Sequence, residues 1–221
     1  AHILSRRRRL LDAVIDPKTF NTLPGAAELD KVISTEIGIS GDTQEALDRA
    51  RVVGSEQAFL IGVRVLSGSI NAGQAGGAYA LLAERIIGAL QGFVELELSH
   101  NHGSVPGGAA VVLGMGKLGG HEMTATSDLD LIVVYDFAED ATQSDGTRPL
   151  APSQYYARMT QRLVTALSAP TAEGTLYEVD MRLRPSGQSG PLAARLSSFI
   201  DYQASGAWTW EHMALTRARV I

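Results

Sequence analysis

The chain has 221 residues, of which 45% are hydrophobic and 19% charged, with a net charge of -5 and no cysteine. Its length allows one large domain or two small ones, and the missing cysteines exclude disulfides and thiolate metal sites. The acidic balance gives no general attraction to nucleic-acid phosphates, and no apolar run reaches the roughly 18 residues of a bilayer span, so neither nucleic acid nor membrane is an expected partner. With no signal-peptide layout at the N-terminus, a cytoplasmic location is the expectation. Ala1-His2 carries no initiator Met and Ile221 closes an apolar run, so the chain reads as a fragment of something longer. The basic run Arg6-Arg7-Arg8-Arg9 reads as an exposed stretch at a domain edge.

Apolar periodicity predicts helices over residues 26–37, 44–67 and 78–100, separated by Gly- and Asn-bearing breaks. Phe59, Gly62, Val63 and Leu66 recur at helical spacing in the second, and Leu81, Leu82, Ile86, Ala89, Leu90 and Phe93 in the third; these are packing faces. His100 and His102 have the look of a metal pair, but no third ligand is in sight, and solvated loop histidines are the expectation. Residues 101–108 hold three glycines and a proline in eight positions. The expected boundary lies there, between an all-helical region, 1–105, and a second domain, 106–221.

Beyond it the composition turns β-branched. Strands are expected over 110–113 and 129–135, with an alternating strand over 177–183. Between them 155–167 reads as a helix with Tyr156, Met159, Leu163 and Leu167 on one stripe, preceded by a polar loop at 139–147. The tail, 196–219, reads as helical with an interruption near Gly206, and Trp208 and Trp210, near a helix start, are expected in packed core. The fold class is α+β.

The segment Gly114-Met115-Gly116-Lys117-Leu118-Gly119-Gly120 follows a strand. It satisfies the dinucleotide pattern G-x-G-x-x-G, with Asp136 about 20 residues on. A parallel crossover with its helix needs at least about 10–12 residues, however, and only eight separate Gly120 from Leu129. A Walker A loop is excluded because Lys117 is followed by Leu118. The alternative is a glycine turn leading to Asp-x-Asp on a strand: Asp128 and Asp130 then share one face while Leu129 and Leu131 take the other. Two carboxylates so placed repel unless a divalent cation lies between them, and magnesium, which binds carboxylates, waters and phosphates, suits them. In the alternating strand Glu178, Asp180, Arg182 and Arg184 share a face, setting a third carboxylate beside two guanidiniums. Phosphoryl and nucleotidyl transfer need that combination, because their catalysis is mostly positioning and charge neutralisation. Ion pairing of Asp180 with Arg182 or Arg184 is the plainer reading of the same residues.

A strand, a glycine turn, Asp-x-Asp and a later third Asp resemble the nucleotidyltransferase superfamily that includes DNA polymerase β. Within it, Gly116-Lys117-Leu118-Gly119-Gly120, Ser127-Asp128-Leu129-Asp130-Leu131, Val179-Asp180-Met181-Arg182-Leu183-Arg184-Pro185-Ser186-Gly187 and Trp208-Thr209-Trp210-Glu211-His212 look like the glutamine synthetase adenylyltransferase family. That resemblance implies a polymerase β-like core preceded by an all-helical domain, and transfer of AMP from ATP to a tyrosine of glutamine synthetase. It further implies two magnesium ions on Asp128, Asp130 and Asp180, with Gly116, Lys117, Gly119, Gly120, Ser127, Arg182 and Arg184 around the nucleotide, and control by a PII-type signal protein. Family members carry an AMP-attaching and an AMP-removing half. Leu176-Tyr177-Glu178-Val179-Asp180 and the tryptophan segment resemble the attaching half, and Ser189-Gly190-Pro191 leans toward the other. Two further classes stay open: a dinucleotide-binding oxidoreductase and a catalytically silent regulatory module.

Overall fold

The computed structural model describes Leu10 and residues 22–38, 40 and 42–221; the basic run at residues 6–9 lies outside them. Among the elements with described bounds, three helices come first: α1 (Ala26–Gly38), α2 (Thr43–Leu66) and α3 (Ala72–His102). Asp42 caps α2, its carboxylate accepting from the Glu45 N–H at 2.8 Å. Asn71 and Gln74 open α3 with a reciprocal pair of side-chain to backbone bonds, each 2.9 Å, which satisfies two N–H groups that the first turn leaves without helical partners.

The chain divides into two compact units, neither contiguous in sequence. One holds residues 1–86, 121–127 and 170–176. In it α1 buries Leu29, Ile33 and Ile37, and α2 buries Arg51, whose guanidinium donates to the carbonyls of Leu47 at 2.8 Å and Gly174 at 3.0 Å. Burial lowers the pKa of that guanidinium, and the two carbonyls supply hydrogen bonds that water no longer can.

The other unit holds residues 87–120, 128–169 and 177–221 and contains the sheet. β1 (Ala109–Gly114) and β2 (Leu129–Asp136) run antiparallel in a register from Ala109 opposite Asp136 to Gly114 opposite Leu131. No parallel crossover joins them, so the dinucleotide unit falls, as the short spacing predicts. Asp136 sits at the far end of this ladder and pairs with Arg195 at 3.4 Å. Helix α5 (Pro152–Ser168) buries Tyr155, Tyr156, Met159, Thr160, Leu163, Ala166 and Leu167. Tyr156 stacks on Tyr135 with ring centroids 4.3 Å apart, and its burial pushes the phenol up to about 12. The face of β2 that carries Tyr135 is therefore the one α5 covers.

Two short parallel strands share one edge of β2: β3 (Val179–Asp180) pairs with Leu129 and Asp130, and β4 (Ala193–Arg195) with Val133, Val134 and Tyr135. Between these pairings residues 131–132 of β2 face residues 181–192, so twelve residues make a detour where two would suffice. The strand expected over 177–183 ends at Asp180 because the Asp180 carboxylate accepts the Arg182 N–H at 2.8 Å. A side chain that captures the backbone two residues on replaces the ladder with a turn. Arg184 then holds the detour through the carbonyl of Met181 at 2.8 Å, and Gly187 donates to the Arg184 carbonyl at the same distance.

The tail differs from the expected interrupted helix at its end. Helices α6 (Leu196–Ser205) and α7 (Thr209–Leu215) are followed by β5 (Arg219–Val220), antiparallel to β1, with the Ile221 N–H donating to the Val112 carbonyl at 2.9 Å. The open edge of β1 needs backbone partners, and this demand overrides a weak helical pattern. Glu211 fixes the α6–α7 turn, accepting from the Tyr202 hydroxyl at 2.9 Å and the Trp208 N–H at 2.7 Å. Ala214, Leu215 and Phe199 turn inward onto Met115, Ile132 and Val134. Trp208 and Trp210 point outward, 71% and 54% exposed, which corrects the expectation of packed core. The helix already has an inner stripe, at 211, 214 and 215, and Trp210 with Met213 lies on the opposite side. His102 also departs from expectation: it is 8% exposed and its Nδ1 meets the Arg148 carbonyl, while His100 stays exposed beside Glu97. Among the described residues no helix is long and apolar enough to cross a membrane.

Candidate metal and nucleotide site

Sheet register builds the site. Asp130 of β2 lies opposite Asp180 of β3 on neighbouring parallel strands, and Asp128, two residues before Asp130, projects to the same face. The Leu129 N–H donates to the Glu178 carbonyl at 2.9 Å and fixes this register at the end of the strands. One oxygen from each of Asp128, Asp130 and Asp180 lies within 4.8 Å of the others. These carboxylates come from positions 50 residues apart in sequence, and the structure brings together the three that the sequence singles out.

Their electrostatics are unequal. Burial first, then the charges of Asp128 and Asp180, push the Asp130 carboxyl above the ordinary carboxylate range, against the opposing pull of Arg182 and Lys117. Asp180 moves the other way, because Arg182 clamps it: besides the backbone bond to Oδ1, Nε donates to Oδ2 at 2.7 Å and Nη2 contacts the same oxygen. Three hard oxygen donors, with one carboxyl raised by burial and then by its negative neighbours, fit a divalent cation held by carboxylates.

The glycine turn lies against this cluster. The Met115 N–H donates to the Asp130 carbonyl at 2.9 Å, and Gly116 begins the four-residue helix α4 (Gly116–Gly119) with φ +51°. A Cβ there would stand 2.3 Å from Asp130 Oδ2, so both the left-handed backbone and the approach of the carboxylate require glycine. Gly119 and Gly120 have a different task. Their N–H groups donate to the carbonyls of Met115 and Gly116, and added Cβ atoms would strike the Arg217 carbonyl and guanidinium at 1.8 Å and 2.7 Å. The N–H groups of Gly119 and Gly120, which the resemblance sets around the nucleotide, are thus engaged within the turn where it closes on the tail. Lys117 is exposed. Ser127 is buried, and its hydroxyl accepts from the Thr124 N–H at 2.9 Å.

A cleft of about 650 Å³ opens beside the acids, lined among others by Asp128, Glu178, Asp180, Arg182, Arg184 and Gln188. Arg182 and Arg184, expected side by side on a strand, stand instead in the detour. Arg182 is paired with Asp180 and its side chain is 72% exposed, while Arg184 is turned onto the carbonyls of Met181, Gln188 and Gly190. The ion-pair reading of Arg182 therefore holds in this structure. Glu178, which shares the face of Asp180 in the alternating pattern, also lines the cleft, and its place there follows from the same period of two.

Comparison with known proteins agrees with this geometry. The family model described as glutamate-ammonia ligase adenylyltransferase matches residues 1–221. A protein of Brucella suis biovar 1 is 53% identical over 221 residues, all of this chain, and one of Xanthobacter autotrophicus is 57% identical over 219 residues, 99% of it. A third, from Mesorhizobium japonicum, is 52% identical over 221 residues. All three are named bifunctional glutamine synthetase adenylyltransferase/adenylyl-removing enzyme, and the chain spans 22% of the length of each. Since the match runs from the first residue to the last and takes in the glycine turn and all three aspartates, the chain belongs to the glutamate-ammonia ligase adenylyltransferase family.

Proposed function

We propose that this chain carries an adenylyl-transferring centre of the polymerase β-like nucleotidyltransferase type, which moves AMP from ATP to a tyrosine hydroxyl of glutamine synthetase. The observation that carries the reading is the meeting of Asp128, Asp130 and Asp180 on one face, against the Gly116 turn and at the mouth of an arginine-lined cleft. Asp128 and Asp130 would hold magnesium, with Asp180 completing a second position. When bound, two such ions supply charge neutralisation of the phosphates and a lowered pKa for the attacking hydroxyl. Lys117 and Arg182 would compensate the triphosphate charge; the charge of each already draws the Asp130 pKa down. The tyrosine oxygen forms its bond to the α-phosphorus while the bond from that phosphorus to the bridging oxygen breaks. Pyrophosphate leaves with the electron pair, and the hydroxyl proton passes to solvent. Asp180 is given a ligand role because one of its oxygens lies within 4.8 Å of those of Asp128 and Asp130.

On this reading residues 1–105 form a helical region preceding a catalytic domain at 106–221, and a PII-type signal protein governs the activity. The relatives' names carry two activities, so removal of AMP by phosphate is the second reading, with the same three aspartates. The test is intact-mass analysis of unmodified glutamine synthetase after incubation with the chain, ATP and magnesium. The expected result is one added AMP per subunit, lost in Asp128→Asn and Asp130→Asn. If no mass is gained and phosphate instead strips AMP from modified glutamine synthetase, the removing reading replaces this one.

A further inference from the structure

Residue 182 occupies both oxygens of Asp180, Oδ1 through its backbone N–H and Oδ2 through Nε and Nη2. The Asp180 side chain is 17% exposed whereas that of Arg182 is 72% exposed, so the guanidinium reaches in from solvent to close over an otherwise shielded carboxylate. Lys117 and Arg184 also reach the cluster through their charge, but it is Arg182 that bonds a carboxylate of it, in the place beside Asp180 that a cation would need. The same guanidinium lines the cleft. Its other natural partner is a phosphate oxygen, which guanidinium binds in the same forked geometry as a carboxylate.

We propose that Arg182 is a resident counter-cation: it keeps Asp180 out of the metal site until a polyphosphate in the cleft draws the guanidinium away and frees the carboxylate for a divalent ion. Asp128 and Asp130, which no arginine clamps among the described residues, bind the first ion without nucleotide. The second ion and the polyphosphate then bind cooperatively, each tightening the other by the same factor, because two sites that compete through one shared group are linked reciprocally. This deepens the adenylyl-transfer reading by assuming a polyphosphate ligand, and it is independent of which protein accepts AMP. It also gives the short spacing from Asp180 to Arg182 a purpose. The backbone turn places the guanidinium stem beside the carboxylate in the free state, and the long side chain has room to rotate off it.

The experiment measures Mn²⁺ binding to the whole chain by the electron paramagnetic resonance of free Mn²⁺, in wild type, Arg182→Lys and Arg182→Gln. Thermal melts confirm folding, which substitution of so exposed a side chain leaves intact. Without nucleotide, Arg182→Gln is expected to bind the second ion about tenfold more tightly than wild type, within the usual range of coupling between sites. Arg182→Lys keeps the charge but loses the fork, and is expected to gain about threefold. With the cleft saturated by α,β-methylene-ATP added without magnesium, wild type should gain about tenfold more in Mn²⁺ affinity than Arg182→Gln, with Arg182→Lys between them. Arg182→Lys indistinguishable from wild type would reduce the effect to diffuse charge and overturn the proposal. So would an Arg182→Gln variant that binds no tighter, or a nucleotide gain as large in Arg182→Gln as in wild type. If these binding results appear but no AMP reaches glutamine synthetase, the acceptor reading fails and this one stands.

Discussion

Burial and two neighbouring carboxylates push the Asp130 carboxyl above the ordinary carboxylate range, whereas Arg182 holds Asp180 below it. The signs have opposite consequences for the metal-free protein. A carboxyl whose folded pKa is raised costs stability once the pH exceeds its unfolded value, and a depressed one adds stability that is lost as the pH falls through its folded value. Asp130→Asn should therefore abolish transfer yet raise the melting temperature at pH 7, on the order of 2 °C. The gain should fade toward pH 4, near the ordinary value of about 3.9, where Asp130 itself becomes neutral. Differential scanning calorimetry across that window checks it, and added magnesium should stabilise wild type more than the variant. Gly116→Ala tests the neighbouring turn. The left-handed backbone costs an L-residue roughly 1–2 kcal/mol, and the methyl would push on Asp130 Oδ2. Chemical denaturation should show that loss, together with weakened metal binding.

Helices α5 and α7 carry large apolar residues of opposite weight. Leu163 of α5 is 1% exposed, and Leu163→Ala should cost about 2–5 kcal/mol. Trp208→Ala and Trp210→Ala should each stay within about 0.5 kcal/mol of wild type, because both rings stand in solvent. Urea denaturation of the three variants distinguishes these outcomes. The misplacement of the tryptophans from sequence has a physical cause. A seven-residue helix is too short for periodicity to show which stripe faces inward, and here the inward stripe is spent on Glu211, which ties down the turn, and on Ala214 and Leu215. The long helices, the β1–β2 pair and the buried stripe of α5 were legible, because each runs through enough periods for burial to impose its pattern. The three aspartates were legible for a related reason: Asp-x-Asp on a strand needs no tertiary knowledge to place both acids on one face. Strands β4 and β5 hold only three and two residues and exist because β2 and β1 have edges to satisfy, which no local signal announces, whereas β3 is a remnant of the alternating strand expected over 177–183. The turn at Asp180 was hidden because its cause is a side chain capturing backbone, and an alternating pattern looks the same either way.

At the scale of the whole chain, sequence order and compactness disagree. Residues 121–127 and 170–176 fold with the helices of residues 1–86, where Arg51 holds the Gly174 carbonyl and Leu176 packs against the Gly54 backbone position. The glycine-rich segment at 101–108 reads as a linker, but its Ser104 N–H donates to Asp145 at 2.7 Å and its Gly108 N–H to Val105 at 2.8 Å. A fragment of residues 106–221 expressed alone would lack the partners of both insertions. Limited proteolysis is expected to cut it first within 121–127 and 170–176, at sites protected in the full chain, and its melting temperature should be lower.

The detour between β3 and β4 has a consequence for how members of the family could diverge. Both of its ends are pinned to the same edge of β2, so its length is uncoupled from the geometry of the three aspartates. Closing a loop grows costlier only with the logarithm of its length, and doubling these twelve residues would cost about 0.6 kcal/mol. One wall of the cleft can thus be lengthened, shortened or exchanged as a cassette, changing what is admitted to the cleft while the cation-holding acids keep their positions.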